Sequence, residues 1–168
     1  MYKKRPRLKI PYESFDIIIE CIPIALLLLM WFYVISEYSQ MPEIVASHFN
    51  AKGEADGYDN KIIVWLIPSI ATVIYLLLFI INRFPHIHNY MVNITEENAY
   101  KNYKFSARML RIINLFITSI MMYVAFLIIE TAKGVQIALG NSLLPIIIGF
   151  SILLPIALFI YQRKLNKE

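Results

Sequence analysis

The residue types best suited to chemistry are gathered in one polar stretch, Pro42 to Lys61, which carries His48, Glu54, Asp56 and Asp59. One imidazole and three carboxylates are ligand types that suit zinc or manganese. Their spacing matches neither the calcium loop of an EF-hand nor a HExxH helix. Two readings follow. Either the side chains converge on a metal, or His48, Asn50, Asp56 and Lys61 form a polar network that orders the loop, with Phe49 as its apolar anchor. A lone histidine supplies one strong nitrogen ligand, which favours ordering; no metal and no cofactor is assigned. Ser47 and His48 are neighbours, which does not make a nucleophile and its base, and no GxSxG motif is present. The expectation is a non-enzymatic protein.

Two further sets carry charge where charge is costly. Glu20 lies in a long apolar run; an acid inside a membrane is a functional suspect, for instance as a proton carrier, although its place near the end of the run also suits an interfacial acid. Lys101, Lys104, Arg108 and Arg111 recur at i, i+3, i+7 and i+10, one stripe of a helix. Such a stripe can bind lipid phosphates or a partner, or it can simply snorkel to the membrane surface.

The elements that must position these groups are apolar. Of 168 residues, 58% are hydrophobic and 17% charged, and mean hydropathy is +0.57. A soluble domain is about 45–50% apolar and about 25% charged, so this chain lacks the charge to cover a water-soluble surface. Four runs are long enough to cross a bilayer as helices, which takes about 20 residues: spans near 17–38, 62–82, 108–130 and 142–161. They are joined by an outer loop 39–61 and an inner segment 83–107. The expected class is an all-α, polytopic membrane protein forming one domain over 1–168. The run after Lys3, Lys4, Arg5, Arg7 and Lys9 is too long for a cleavable leader, and Glu37-Tyr38-Ser39-Gln40 offers no small-residue cleavage site. An uncleaved helix is expected.

Basic residues set the orientation. With both termini inside, every Lys and Arg except Lys52, Lys61 and Lys133 is cytoplasmic. The net charge of +4 therefore needs no nucleic acid to explain it. Ser14 is placed to cap the first helix, Asp59 or Asn60 the second, and Thr95 the third. From Thr95 to Glu130 there is no Gly or Pro, so a helix from about residue 96 should extend into the cytoplasm. Pro23, Pro68, Pro145 and Pro155 sit within spans, where kinks can mark transporter sites or be merely common. Cys21 is the one cysteine and forms no internal disulfide.

The Pro42–Lys61 stretch resembles a bacterial membrane family, the 1648 domain of unknown function. That domain also forms the N-terminus of immunity proteins for the sporulation-delaying-protein toxin (SdpI-like). The family pattern is roughly Pro, an apolar stretch, His-Phe-Asn, Gly-x-x-Asp-Gly and a Lys before the second helix. Pro42, His48, Phe49, Asn50, Gly53, Asp56, Gly57 and Lys61 fill those places. A second block, Phe84-Pro85-His86 with Asn89-Tyr90 and Ile94-Thr95-Glu96-Glu97-Asn98-Ala99, is similar to the cytoplasmic stretch of family members, so the resemblance covers about residues 10–165. It implies a multi-pass protein of the bacterial inner membrane. It further implies that His48, Phe49, Asn50, Gly53, Asp56, Gly57 and Lys61 recognise a secreted peptide or another membrane protein, in immunity or envelope-stress sensing. Two alternatives stand beside this. One is an accessory subunit or small transporter using Glu20 and the kinked helices; the other is a metal-dependent membrane enzyme.

Overall fold

A computed structural model describes residues 5–135 and 140–166; Lys3, Lys4 and Lys167, counted above as cytoplasmic charges, lie outside them. The chain is mostly helical: α1 (Ser14–Glu37), α2 (Leu66–Ile81), α3 (Ala99–Ala132) and α4 (Gly140–Leu165). Each belongs to a segment long and apolar enough to cross a membrane. The all-α expectation is corrected in one place. The loop between α1 and α2 folds into an antiparallel hairpin, β1 (Ile44–Phe49) paired with β2 (Ala55–Asn60). Its return strand, Ala-Asp-Gly-Tyr-Asp-Asn, carries almost no β-forming residue, so neither periodicity nor propensity marks it in the sequence.

On α1 the buried positions are Asp16, Ile19, Glu20, Pro23, Leu27, Met30 and Val34, a seam that advances by three and four residues. This seam faces α3, and α2 closes the third side. Small residues on the packed faces, Ala71, Ala107, Thr118 and Ala125, are almost fully buried, as is usual where lipid removes the hydrophobic drive between helices. One apolar cluster, Leu27, Met30, Ala71, Tyr75 and Ala125, fills the middle. A second, Val34, Met41, Val45, Val64, Ile128 and Ile129, joins the hairpin to the helix ends, with Phe49 packed against it. The fourth helix lies along α3 through stacked rings, Phe105 on Tyr161 and Phe116 on Phe150.

Two helix starts differ from expectation. The first helix is capped from Glu13 rather than Ser14: the Asp16 carboxylate accepts the Glu13 backbone N–H at 3.0 Å. Thr95 and Asn98 do exchange capping bonds, but they close a turn, and regular helix begins at Ala99. Asn60 behaves as expected, its side chain accepting the Ile62 N–H at 3.0 Å ahead of α2.

Candidate functional site

The hairpin owes its shape to side-chain chemistry at its tip. The Asn50 side-chain oxygen accepts the backbone N–H groups of Lys52 at 2.8 Å and Glu54 at 3.0 Å, satisfying donors that a four-residue turn would otherwise leave bare. Gly53 has φ of 77°, a conformation open to glycine at little cost. Two register shifts flank His48, bringing it directly across from Gly57. A Cβ on Gly57 would lie 2.8 Å from the His48 Cβ, so only glycine fits. His48 Nδ1 bonds the Asp56 carboxylate. At the base, Lys61 Nζ reaches Glu43 at 3.0 Å and donates to the Met41 carbonyl at 3.3 Å, above the Tyr38 ring.

The expected single network of His48, Asn50, Asp56 and Lys61 is thus three separate pairings: His48 with Asp56, Asn50 with Glu54, and Lys61 with Glu43. The hairpin's length separates its tip from its base, so one continuous network is sterically out of reach. Phe49 anchors the strand on the helix ends as expected. Of the proposed metal ligands, only His48 and Asp56 meet; among the described residues no three His, Cys, Asp or Glu side chains converge.

Behind the tip lies a groove of about 320 Å³ lined by His48, Phe49, Asn50, Ala51 and Gly53, by Val124 and Leu127 of α3, and by Leu143, Leu144 and Ile147 of α4. Its floor is aliphatic and its rim is the polar hairpin tip. That combination, an apolar slot with a few oriented polar groups, is how small ligands and side-chain anchors are held.

Most of the basic stripe is engaged in ion pairs inside the bundle. Lys104 and Arg108 both bond Glu13; Arg108 Nε donates to Asp16 at 2.8 Å; Arg111 Nε donates to Glu20 at 2.9 Å and its Nη1 reaches Asp16 at 3.4 Å. Three of the four cations therefore answer carboxylates of α1, and Lys101 alone of the stripe is fully on the surface. Of those carboxylates sequence reasoning singles out only Glu20, yet all three form a stripe, at positions 13, 16 and 20, whose steps of three and four residues keep them on one face as the steps of four and three do for Lys104, Arg108 and Arg111. Numbers rise together on both helices, so α1 and α3 run parallel, as two spans separated by one crossing must. The pairing continues at the far end, where Tyr33 bonds Glu130 and Lys133 lies 2.9 Å from both Glu37 and Glu130. Glu20 is buried within the bundle and also accepts the Tyr75 hydroxyl at 3.4 Å. Outside the spans, the two cations on Glu13 hold its carboxyl below the ordinary range.

The segment between α2 and α3 is tied down by its own polar contacts. Arg5 donates to the carbonyls of His86 and His88. His88 Nε2 faces the Ile81 carbonyl at 3.1 Å and therefore carries the hydrogen, leaving Nδ1 to accept from the Ser106 hydroxyl at 2.8 Å. Burial pushes its pKa below the usual histidine value.

Four membrane-length helices and a structured hairpin define a multi-pass membrane protein. Residues 25–72, the later part of α1, the hairpin and the start of α2, match the family model described as Domain of unknown function (DUF1648). An uncharacterized protein of Archaeoglobus fulgidus is 38% identical over 69 residues, an alignment that covers 36% of this chain and 38% of that one. The chain thus spans well under half the length of the curated relative it matches. No solved structure matches it.

Proposed function

We propose that this is a non-enzymatic, SdpI-like protein of the bacterial inner membrane, with both termini inside. Its outer hairpin recognises an apolar segment of a secreted peptide or of another membrane protein, in toxin immunity or envelope-stress sensing. The observation that carries the reading is the groove behind the hairpin tip, since residues of the family-like motif and the outer ends of α3 and α4 wall it together. The lopsided distribution of Lys and Arg supports the orientation. The length of α3, 34 residues or about 51 Å against a hydrocarbon core of about 30 Å, supports a third helix that projects into the cytoplasm.

A photo-crosslinking amino acid at Ala51, in intact cells, tests it. A discrete adduct with a peptide or membrane protein, lost when Phe49→Ala loosens the hairpin, is expected. Adducts unaffected by Phe49→Ala, or none, would refute the reading. A second reading, an accessory subunit or small transporter, has the buried Glu20–Arg111–Tyr75 cluster behind it. It demands that Glu20→Gln abolish function while hairpin variants leave it intact.

A further inference from the structure

At the N-terminal end of α3, opposite the hairpin, the fourth helix meets α3 and leaves a groove on the side toward α1. It touches α3 through the Phe105–Tyr161 stack, at 4.7 Å between centroids. Below that, Asn102 bonds Asn166 at 2.9 and 3.0 Å and lies 3.5 Å from the Gln162 amide. Between these contacts and Phe15 of α1 runs a groove of about 690 Å³, within the roughly 300–1,000 Å³ of ligand-sized sites.

The groove is polarised along its length. Ile112 of α3 with Leu154 and Leu158 of α4 wall one end, Lys101 and Lys104 stand at the other, and Arg108 lies between. Because both walls are regular helix, their backbone polar groups are already bonded, and the apolar end offers only carbon. From Lys101 to Ile112 is about 16 Å at 1.5 Å per residue, close to half of a core about 30 Å thick. The groove as a whole, cationic at its mouth and aliphatic beyond, is about one leaflet long, and it has the polarity of a phospholipid chain beneath its phosphate.

Charge at the mouth favours an anion. Glu13 and Asp16 face Lys104 and Arg108 there, and Glu20 answers Arg111. Lys101 adds a positive charge one turn outward on the same stripe, and Arg163 and Lys164 in the last turn of α4 add the same sign at this end. Lys104 has three N–H donors, of which Glu13 takes one.

We propose that this groove binds one anionic phospholipid, with an acyl chain laid between α3 and α4 and the phosphate held by Lys101 and Lys104. The lipid fills the groove that α4 leaves beside α1 and so adds to the contacts that hold that helix.

The test is native mass spectrometry of the delipidated full-length protein in detergent. It is titrated with phosphatidylglycerol or with phosphatidylcholine of the same acyl chains. Preferential retention of a single phosphatidylglycerol is expected. Lys101→Gln, on an exposed residue outside the α1 ion pairs, should weaken that binding about fivefold and leave phosphatidylcholine unchanged. Leu158→Trp, which fills the trough, should remove binding of both. Arg83→Gln, a basic residue outside the groove, should do neither. Equal retention of the two lipids would overturn the proposal, as would equal effects of Lys101→Gln and Arg83→Gln. So would binding that survives Leu158→Trp, or displacement of the lipid by millimolar inorganic phosphate alone.

Discussion

Replacing Arg111 by Leu strips Glu20 of its cation in a place where water cannot substitute. Asp16 is less affected, because Arg108 still donates to it at 2.8 Å. Glu20, 8% exposed, keeps only the Tyr75 hydroxyl at 3.4 Å. Breaking a buried pair from one side typically costs about 3–5 kcal/mol. Here the lower end applies, since the residual hydroxyl helps and helices separated within a membrane also find partners. About 3 kcal/mol is expected. Removing both members, Glu20→Leu with Arg111→Leu, deletes the uncompensated charge and should fall within about 1 kcal/mol of the parent. The coupling in a double-mutant cycle is then at least about 2 kcal/mol. Reversible unfolding in mixed micelles of SDS and dodecyl maltoside measures it, read through Trp31 and Trp65, whose rings lie 6.2 Å apart across α1 and the start of α2. The reasoning fails if Arg111→Leu costs under about 1 kcal/mol, or if the two single losses simply add.

Gly57→Ala should open the hairpin, because the new methyl meets the His48 Cβ at 2.8 Å; overpacking of this kind costs about 1–3 kcal/mol, and faster proteolysis at residues 50–54 with α1 and α2 still protected is the expected pattern. His88, neutral in its bonded state and with its pKa held below the ordinary histidine value by burial, binds a proton less readily folded than unfolded. Its contribution is therefore present above about pH 6.5 and fades as pH falls through the folded value. Hydrogen exchange corrected for intrinsic rates should show residues 83–98 loosening on acidification, and His88→Gln should flatten that dependence; an unchanged profile in the variant would assign it elsewhere.

The four spans are legible in the sequence because an uncharged run of membrane length is seldom anything but a spanning helix. The hairpin is half legible: β1 carries the strand-favouring Ile44, Val45 and Phe49, but β2 is held by its partner and by Asn50, Gly53 and Gly57 rather than by its own propensity. Those motif residues look like a binding signature in the sequence, and in the structure each also has a job in shaping the turn. The ion pairs are the largest feature that the sequence conceals. Lys104, Arg108 and Arg111 visibly share a face, but which surface that face meets depends on helix packing across about ninety residues of sequence. The matching steps of Glu13, Asp16 and Glu20 are the available signal, hidden because only Glu20 lies far enough into an apolar run to draw notice.

The parallel pairing of α1 with α3 has a consequence for how the protein is made. Asp16 and Glu20 are synthesised some ninety residues before the arginines that answer them. At about 5–20 residues per second the wait is roughly 5–20 s, during which the first span holds its acids without a counter-ion. That span is therefore expected to hold its charged end at the interface until α3 arrives, and its final depth to be set by the pairing with Arg108 and Arg111. The order of synthesis makes α3 the helix that completes the insertion of α1, and truncation before Arg108 should leave the first span shallow and exposed to quality-control proteases.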